Sequence, residues 1–174
     1  LTEGLDWQWN TFSEYLEILE NRSYDMDIGA QIPHGALRLY VMGQRGADRE
    51  IATDDDIKEM AKISAEAIEA GAIGFTTSRT IFHKTSKGEL VPSFDAAGKE
   101  LIKIAEEIGK TGKGVLQLVS DFLGGYEEFK MLEEMVKTSG RPLSITLAQT
   151  DGTKYGYKDL LNWIETSANN GFPI

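Results

Sequence analysis

Gly114-Val-Leu-Gln-Leu-Val-Ser120, followed by Tyr126-Glu-Glu-Phe-Lys-Met-Leu-Glu-Glu-Met-Val-Lys-Thr138, is the stretch that decides the fold. The first run is short and apolar and is bounded by Gly114 and Asp121, as a strand buried in a parallel sheet is. In the second, Phe129, Leu132, Met135 and Val136 recur at helical spacing, and Gly140 closes the segment. Strand then helix is therefore the unit. Arg141-Pro-Leu-Ser-Ile-Thr-Leu-Ala148 repeats the strand signal, and Tyr157 to Ala168 repeats the helix signal with Leu160, Leu161, Ile164 and Ala168 on one side.

The same alternation runs upstream. Thr53 before Asp54, Asp55 and Asp56 combines an N-cap with acids at the positive end of a helix dipole, and Ile57, Met60, Ala61, Ala67 and Ile68 supply the buried stripe up to Gly71. Ala72 to Thr77 reads as a compact strand, and Ser78 to Pro92 as a polar loop. Ser93 is placed to cap a helix carrying Leu101, Ile104, Ala105 and Ile108, with Gly109 and Gly112 as stops. Nearer the start, Thr11-x-x-Glu14 is a capping box that predicts a helix over 12–21. Asp27 to Pro33 reads as a strand, Gly35 to Met42 as a loop or short helix, and Gln44-Arg45-Gly46 as a polar break. Four consecutive βα units predict an α/β fold with a parallel sheet and right-handed crossovers. Periodicity alone leaves an open sheet and a barrel equally available.

Composition narrows the function classes. The 174 residues, 41% hydrophobic, suit one domain over 1–174, and a net charge of −10 repels nucleic acid and anionic membrane surfaces. There is no Cys, hence no disulfide framework and no thiol nucleophile, which leans the expected location to the cytoplasm. No apolar run is long enough for a membrane span. Leu1 at the start and Gly171-Phe-Pro-Ile174 at the finish suggest that both ends are cuts through a longer chain.

In parallel α/β folds the working groups gather at the C-terminal ends of the strands. That rule selects His34 after the first strand, Thr77, Ser78 and Arg79 after the second, Ser120 and Asp121 after the third, and Gln149, Thr150 and Asp151 after the fourth. His34 offers an imidazole for a metal or for proton transfer, but a single His without partners more often anchors a loop. Arg38, four residues on, has a planar fork suited to a carboxylate, with a local ion pair as the plainer use. Ser78, Arg79 and His83 share one loop and form the best local constellation. Elbow glycines are missing there, so a serine triad is set aside in favour of substrate contacts or plain exposure. Asp121 ligates a cation, orients a base or caps the helix that follows, and capping is the simpler reading. Neither GxxxxGK[ST] nor GxGxxG occurs, which removes the nucleotide folds built on those loops.

Gly4-Leu-Asp-Trp-Gln-Trp-Asn-Thr-Phe-Ser-Glu-Tyr-Leu-Glu-Ile-Leu-Glu20, Pro33-His-Gly-Ala-Leu-Arg-Leu-Tyr-Val-Met-Gly43 and Glu69-Ala-Gly-Ala-Ile-Gly-Phe-Thr-Thr-Ser-Arg-Thr-Ile-Phe-His83 with the GELVP after it resemble the N-acyl-D-amino-acid deacylases of the amidohydrolase superfamily. The resemblance implies a TIM (β/α)8 barrel, of which this chain would supply about four consecutive βα units, roughly the third to the sixth. It implies hydrolysis of amide or other non-peptide carbon–nitrogen bonds in a small-molecule substrate by metal-activated water, with zinc as the first divalent metal to expect in the parent enzyme. It also implies metal-binding His on the fifth and sixth strands. Here those ends read Leu116-Gln-Leu-Val-Ser-Asp121 and Ile145-Thr-Leu-Ala-Gln-Thr150, with Gln117, Ser120, Asp121 and Gln149 as the polar groups. A divergent relative is therefore expected, whose isolated segment holds no metal, is inactive and self-associates through open barrel edges. The alternative is a metal-free binding or scaffold protein on the same barrel.

Overall fold

A computed structural model describes residues 7–148 and 156–174. Among them the chain alternates as predicted. Helix α1 (Phe12–Glu20) opens on the Thr11/Glu14 capping box, with Thr11 Oγ1 accepting from the Glu14 amide and the Glu14 carboxylate from the Thr11 amide. Strand β1 (Gln31–Pro33) runs directly into α2 (His34–Met42), so the segment left open between loop and helix is a helix. A four-residue turn of helix, α3 (Gln44–Ala47), occupies the polar break. Then follow α4 (Asp54–Ala70), β2 (Gly74–Arg79), α5 (Gly98–Lys110), β3 (Val115–Ser120), α6 (Tyr126–Ser139), β4 (Leu143–Ile145) and α7 (Tyr157–Asn169).

The sheet order is β1-β2-β3-β4 and every pairing is parallel. That order is consistent with a segment of a barrel. A doubly wound sheet reverses direction at a switch point, whereas here each strand is added on the same side of its predecessor, as in consecutive strands of a (β/α)8 barrel. The progression continues at the finish: the Leu143 amide donates to the Pro173 carbonyl at 2.8 Å, the same kind of rung by which the Leu116 amide reaches Pro142. The chain leaving α7 therefore sets out beside β4.

Crossovers all turning one way lay the helices on one face of the sheet. Phe75, Leu116, Leu118 and Leu143 point to that face and form a core with Met60, Ile68, Leu101, Ile104, Leu132 and Met135. Strand alternation sends Thr76, Ser78, Val115, Gln117 and Val119 to the opposite face, where they are only half-buried. In a barrel that second face is the interior. The helices pack α4 on α5 and α5 on α6, and the last contact is close. A Cβ at Gly109 would lie 2.5 Å from the Ser139 carbonyl oxygen, so Gly109 is a close-approach residue inside α5 rather than the helix stop. Gly109→Ala is expected to cost about 1–3 kcal/mol through forced separation of the two helices. Urea midpoints check this; an unchanged midpoint would contradict the close approach.

Candidate functional site

Two polar groups lie on opposite sides of the sheet, and only one of them is open to a substrate. The first is behind the sheet. His34 starts α2 immediately after β1 and is 1% exposed. Its Nδ1 lies 2.9 Å from Thr77 Oγ1 of β2, and its Nε2 lies 2.6 Å from Glu100 Oε1 on α5. A carboxylate can only accept, so Nε2 carries the hydrogen and Nδ1 accepts from the threonine hydroxyl. Arg38, one turn along α2, donates from Nη1 to both Glu100 oxygens at 2.6 and 2.5 Å and from Nη2 to the Glu50 carbonyl.

The electrostatics of this cluster follow from burial. Desolvation holds the His34 pKa below its ordinary value, outweighing the opposing pull of Glu100, so the imidazole is neutral. Burial alone would raise the Glu100 carboxyl, but the hydrogen bond from His34 and the hydrogen bonds and charge of Arg38 bring it below the usual value. A charged Glu100–Arg38 pair braced by a neutral His34 therefore ties β1, α2, β2 and α5 together. Arg38 is in an ion pair, but its partner is 62 positions away and not local. Sequence reading missed Glu100, although a signal was present. Glu100, Ile104 and Ile108 recur every fourth position, which puts an acid on the apolar stripe of its helix.

A second buried acid works the same way. Glu128 on α6 accepts from Ser120 Oγ at 2.6 Å and from Arg79 Nε at 3.1 Å, while Arg79 Nη1 donates to the Ala96 carbonyl at 2.6 Å. Arg79 and Ser120 are register partners at the ends of β2 and β3, and both turn toward the helices. Glu128 too lies on its helix stripe, four positions before Leu132.

The open group sits at the C-terminal ends of β2 and β3, on the other face. Ser78 Oγ lies 2.7 Å from His83 Nδ1, and both side chains are accessible. The turn between them is held by Asp121, whose carboxylate accepts from Thr80 Oγ1 at 2.6 Å and from the Ile81 amide at 2.7 Å. Asp121 thus latches the β2 loop to the end of β3 and does not cap α6, whose N-cap is Gly125. The reason is backbone geometry: Phe122 has φ 53° and packs its ring on Phe129, which turns the chain sharply just beyond Asp121. Ser93 is likewise diverted from the expected helix cap, because its hydroxyl donates to the Ser78 carbonyl at 2.9 Å and α5 begins after Ala97. Gln149, Thr150 and Asp151 lie outside the described residues.

The structure therefore brings Ser78, His83 and Asp121 together at the mouth, and sends His34, Arg38, Arg79 and Ser120 to the helix side. Gln117 lies on the interior face, three residues before the strand end. Among the described residues no three His, Cys, Asp or Glu side chains are grouped to hold a metal. Both nitrogens of His34 are taken, His83 Nδ1 is held by Ser78, and both Asp121 oxygens accept from the β2 loop. His83 Nε2 is left over, but one ring nitrogen without grouped partners does not make a metal centre among the described residues.

A sequence profile of the amidohydrolase family matches residues 3–172. An uncharacterised protein of Mycobacterium tuberculosis and another of Mycobacterium bovis are each 27% identical over 119 residues, which is 65% of this chain and 19% of theirs. A D-aminoacylase of Alcaligenes xylosoxydans xylosoxydans is 27% identical over 112 residues, 64% of this chain and 21% of that protein. At 19% and 21%, the chain spans about a fifth of the length of these curated relatives. No solved structure matches.

Proposed function

Since the chain belongs to the amidohydrolase family, we propose that it is the mouth-bearing middle of a hydrolase that cleaves amide or other non-peptide carbon–nitrogen bonds, with N-acyl-D-amino acids as the substrate class. The observation that carries this reading is the convergence of Ser78, His83 and Asp121 at the C-terminal ends of neighbouring parallel strands, where such folds place their chemistry. The likeness to a D-aminoacylase supports the substrate class. In this reading the accessible Ser78–His83 pair meets the substrate, while the two buried acids behind the sheet keep the strand ends in register. The family is generally metal-dependent. We keep zinc as the first candidate, with ligands drawn from outside the described residues.

The test is hydrolysis by the full-length protein of matched N-acyl-D- and N-acyl-L-amino acids, followed as release of the free amino acid. Turnover of the D series, with a divalent metal found at stoichiometric level by elemental analysis, is the expected result. Absence of amide hydrolysis across a panel of acyl groups would contradict it. A second reading, a metal-free binding protein on the same barrel, rests on the donor set described above. That reading requires a full-length protein that is both metal-free and inactive.

A further inference from the structure

We propose that His83 binds the carboxylate of the substrate, donating from Nε2 while Ser78 fixes the opposite ring nitrogen and Asp121 holds the turn that carries it. This rests on the hydrolase reading above and deepens it, because an N-acyl amino acid presents one fixed anion to the mouth whatever its acyl group. The geometry starts from Ser78 on the interior face. Its hydroxyl, 2.7 Å from Nδ1, can donate there, and the neutral ring so held keeps its hydrogen on Nε2. In the imidazolium Nε2 is a donor as well. Nε2 itself makes no hydrogen bond among the described residues, and His83 is exposed, so the donor is presented to solvent at the mouth.

The ring is not on a loose loop. The turn of residues 80–83 is closed by the Thr80 carbonyl accepting from the His83 amide, and Thr80 Oγ1 accepts from the Phe82 amide while donating to Asp121. Beyond it, Lys84 pairs with Leu90 in a short antiparallel bridge, and the Thr85 amide donates to the Glu89 carbonyl. That finger carries Lys84 and Lys87 beside His83, against Glu89 and the Asp121 carboxylate that latches its base. Neither lysine has an ion-pair partner among the described residues, unlike Lys99, Lys103, Lys110, Lys113 and Lys130. The nearby guanidinium groups are spent elsewhere, Arg79 on Glu128 and Arg38 on Glu100. His83 is thus the positioned donor of the finger, flanked by two lysines free of ion pairs among the described residues, where an anion is held and oriented.

The test compares, in the full-length protein, an N-acyl-D-amino acid with its carboxamide, which keeps the scissile bond and removes the anion. His83→Ala is expected to raise KM for the acid on the order of 10- to 100-fold, the loss of a hydrogen bond to a charged group. KM for the carboxamide is expected to change far less, and kcat for the acid to fall less than KM rises. His83→Gln, whose amide nitrogen reaches toward the Nε2 position, is expected to restore part of the loss. Ser78→Ala is expected to shift KM in the same direction by a smaller factor. Equal effects on both substrates, or none on either, would overturn the assignment while leaving the hydrolase reading intact. A wild-type protein that hydrolyses neither substrate would overturn both.

Discussion

Replacing Glu100 by Ala is expected to destabilise the protein by about 3–5 kcal/mol, because the change leaves the Arg38 guanidinium buried without its counter-charge. Neither side chain has a solvent route by which to recover, since both are essentially inaccessible. At about 2–4 °C per kcal/mol for a chain of this size, the melting temperature should fall by roughly 6–20 °C. Glu100→Gln, which retains the shape and loses the charge, should fall between mutant and wild type. A pair replacement, Arg38→Met with Glu100→Leu, should recover much of the loss, since buried ion pairs are often dispensable when removed whole. A Glu100→Ala protein within about 1 kcal/mol of wild type would contradict the buried-pair account.

The same cluster sets the acid limb of stability. The folded pKa of His34 is depressed below its ordinary 6.5, so stability is complete above that pH and is lost as pH falls from 6.5 through the folded value, since only the unfolded state takes up the proton readily. Glu100 is depressed below its ordinary 4.5 and adds a second loss below that pH. Urea midpoints measured stepwise from neutral pH downward should show two successive declines, and the lower one should shrink in Glu100→Gln. A profile level across both windows would count against the arrangement.

Glu128→Ala is the second large effect. It removes the acceptor shared by Ser120 and Arg79, and Glu128 is 4% exposed while Arg79 is 22% exposed at the side chain. The partial exposure of Arg79 discounts the penalty to about 2–3 kcal/mol. Because Arg79 also holds the Ala96 carbonyl, amides of the 80–97 loop should exchange hydrogen faster while those of β3 stay protected. Arg79→Leu combined with Glu128→Ala separates pairing from packing through the coupling energy. Additive single effects would dismiss the pair as a tie.

Much of this architecture is legible in the residues because helix periodicity and apolar runs report burial directly. The stripes of α4, α5, α6 and α7 are in the sequence, and so is the Thr11 capping box. Strand limits are less so. Arg141 to Ala148 carries a strand signal of eight residues, yet β4 pairs only over Leu143–Ile145, because a ladder extends only where its neighbour is in register. In β2 the error runs the other way, since Ser78 and Arg79 are polar and still pair with Val119 and Ser120. Polar residues at a strand end look like loop in a sequence, and here that is where the proposed site is. His34 and Ser78 look alike as candidates on the strand-end rule; the structure separates them, because His34 starts α2 and turns behind the sheet while the pleat of β2 sends Ser78 to its open face. Glu100 and Glu128 are the reverse case, acids that charge suggests are exposed and that helical spacing places inside.

The central claim is that the two histidines do different work, His34 holding the fold behind the sheet and His83 meeting the substrate at the mouth. Thermal melts and steady-state kinetics of His34→Ala and His83→Ala in the full-length protein test it directly. His34→Ala should lower stability by about 2–4 kcal/mol while the folded fraction keeps its kcat/KM, because the change empties a buried site and orphans Thr77 and Glu100. His83→Ala should melt with the wild type and lose kcat/KM for the N-acyl amino acid. The opposite pattern, with catalysis lost at His34 and only stability lost at His83, would contradict the account.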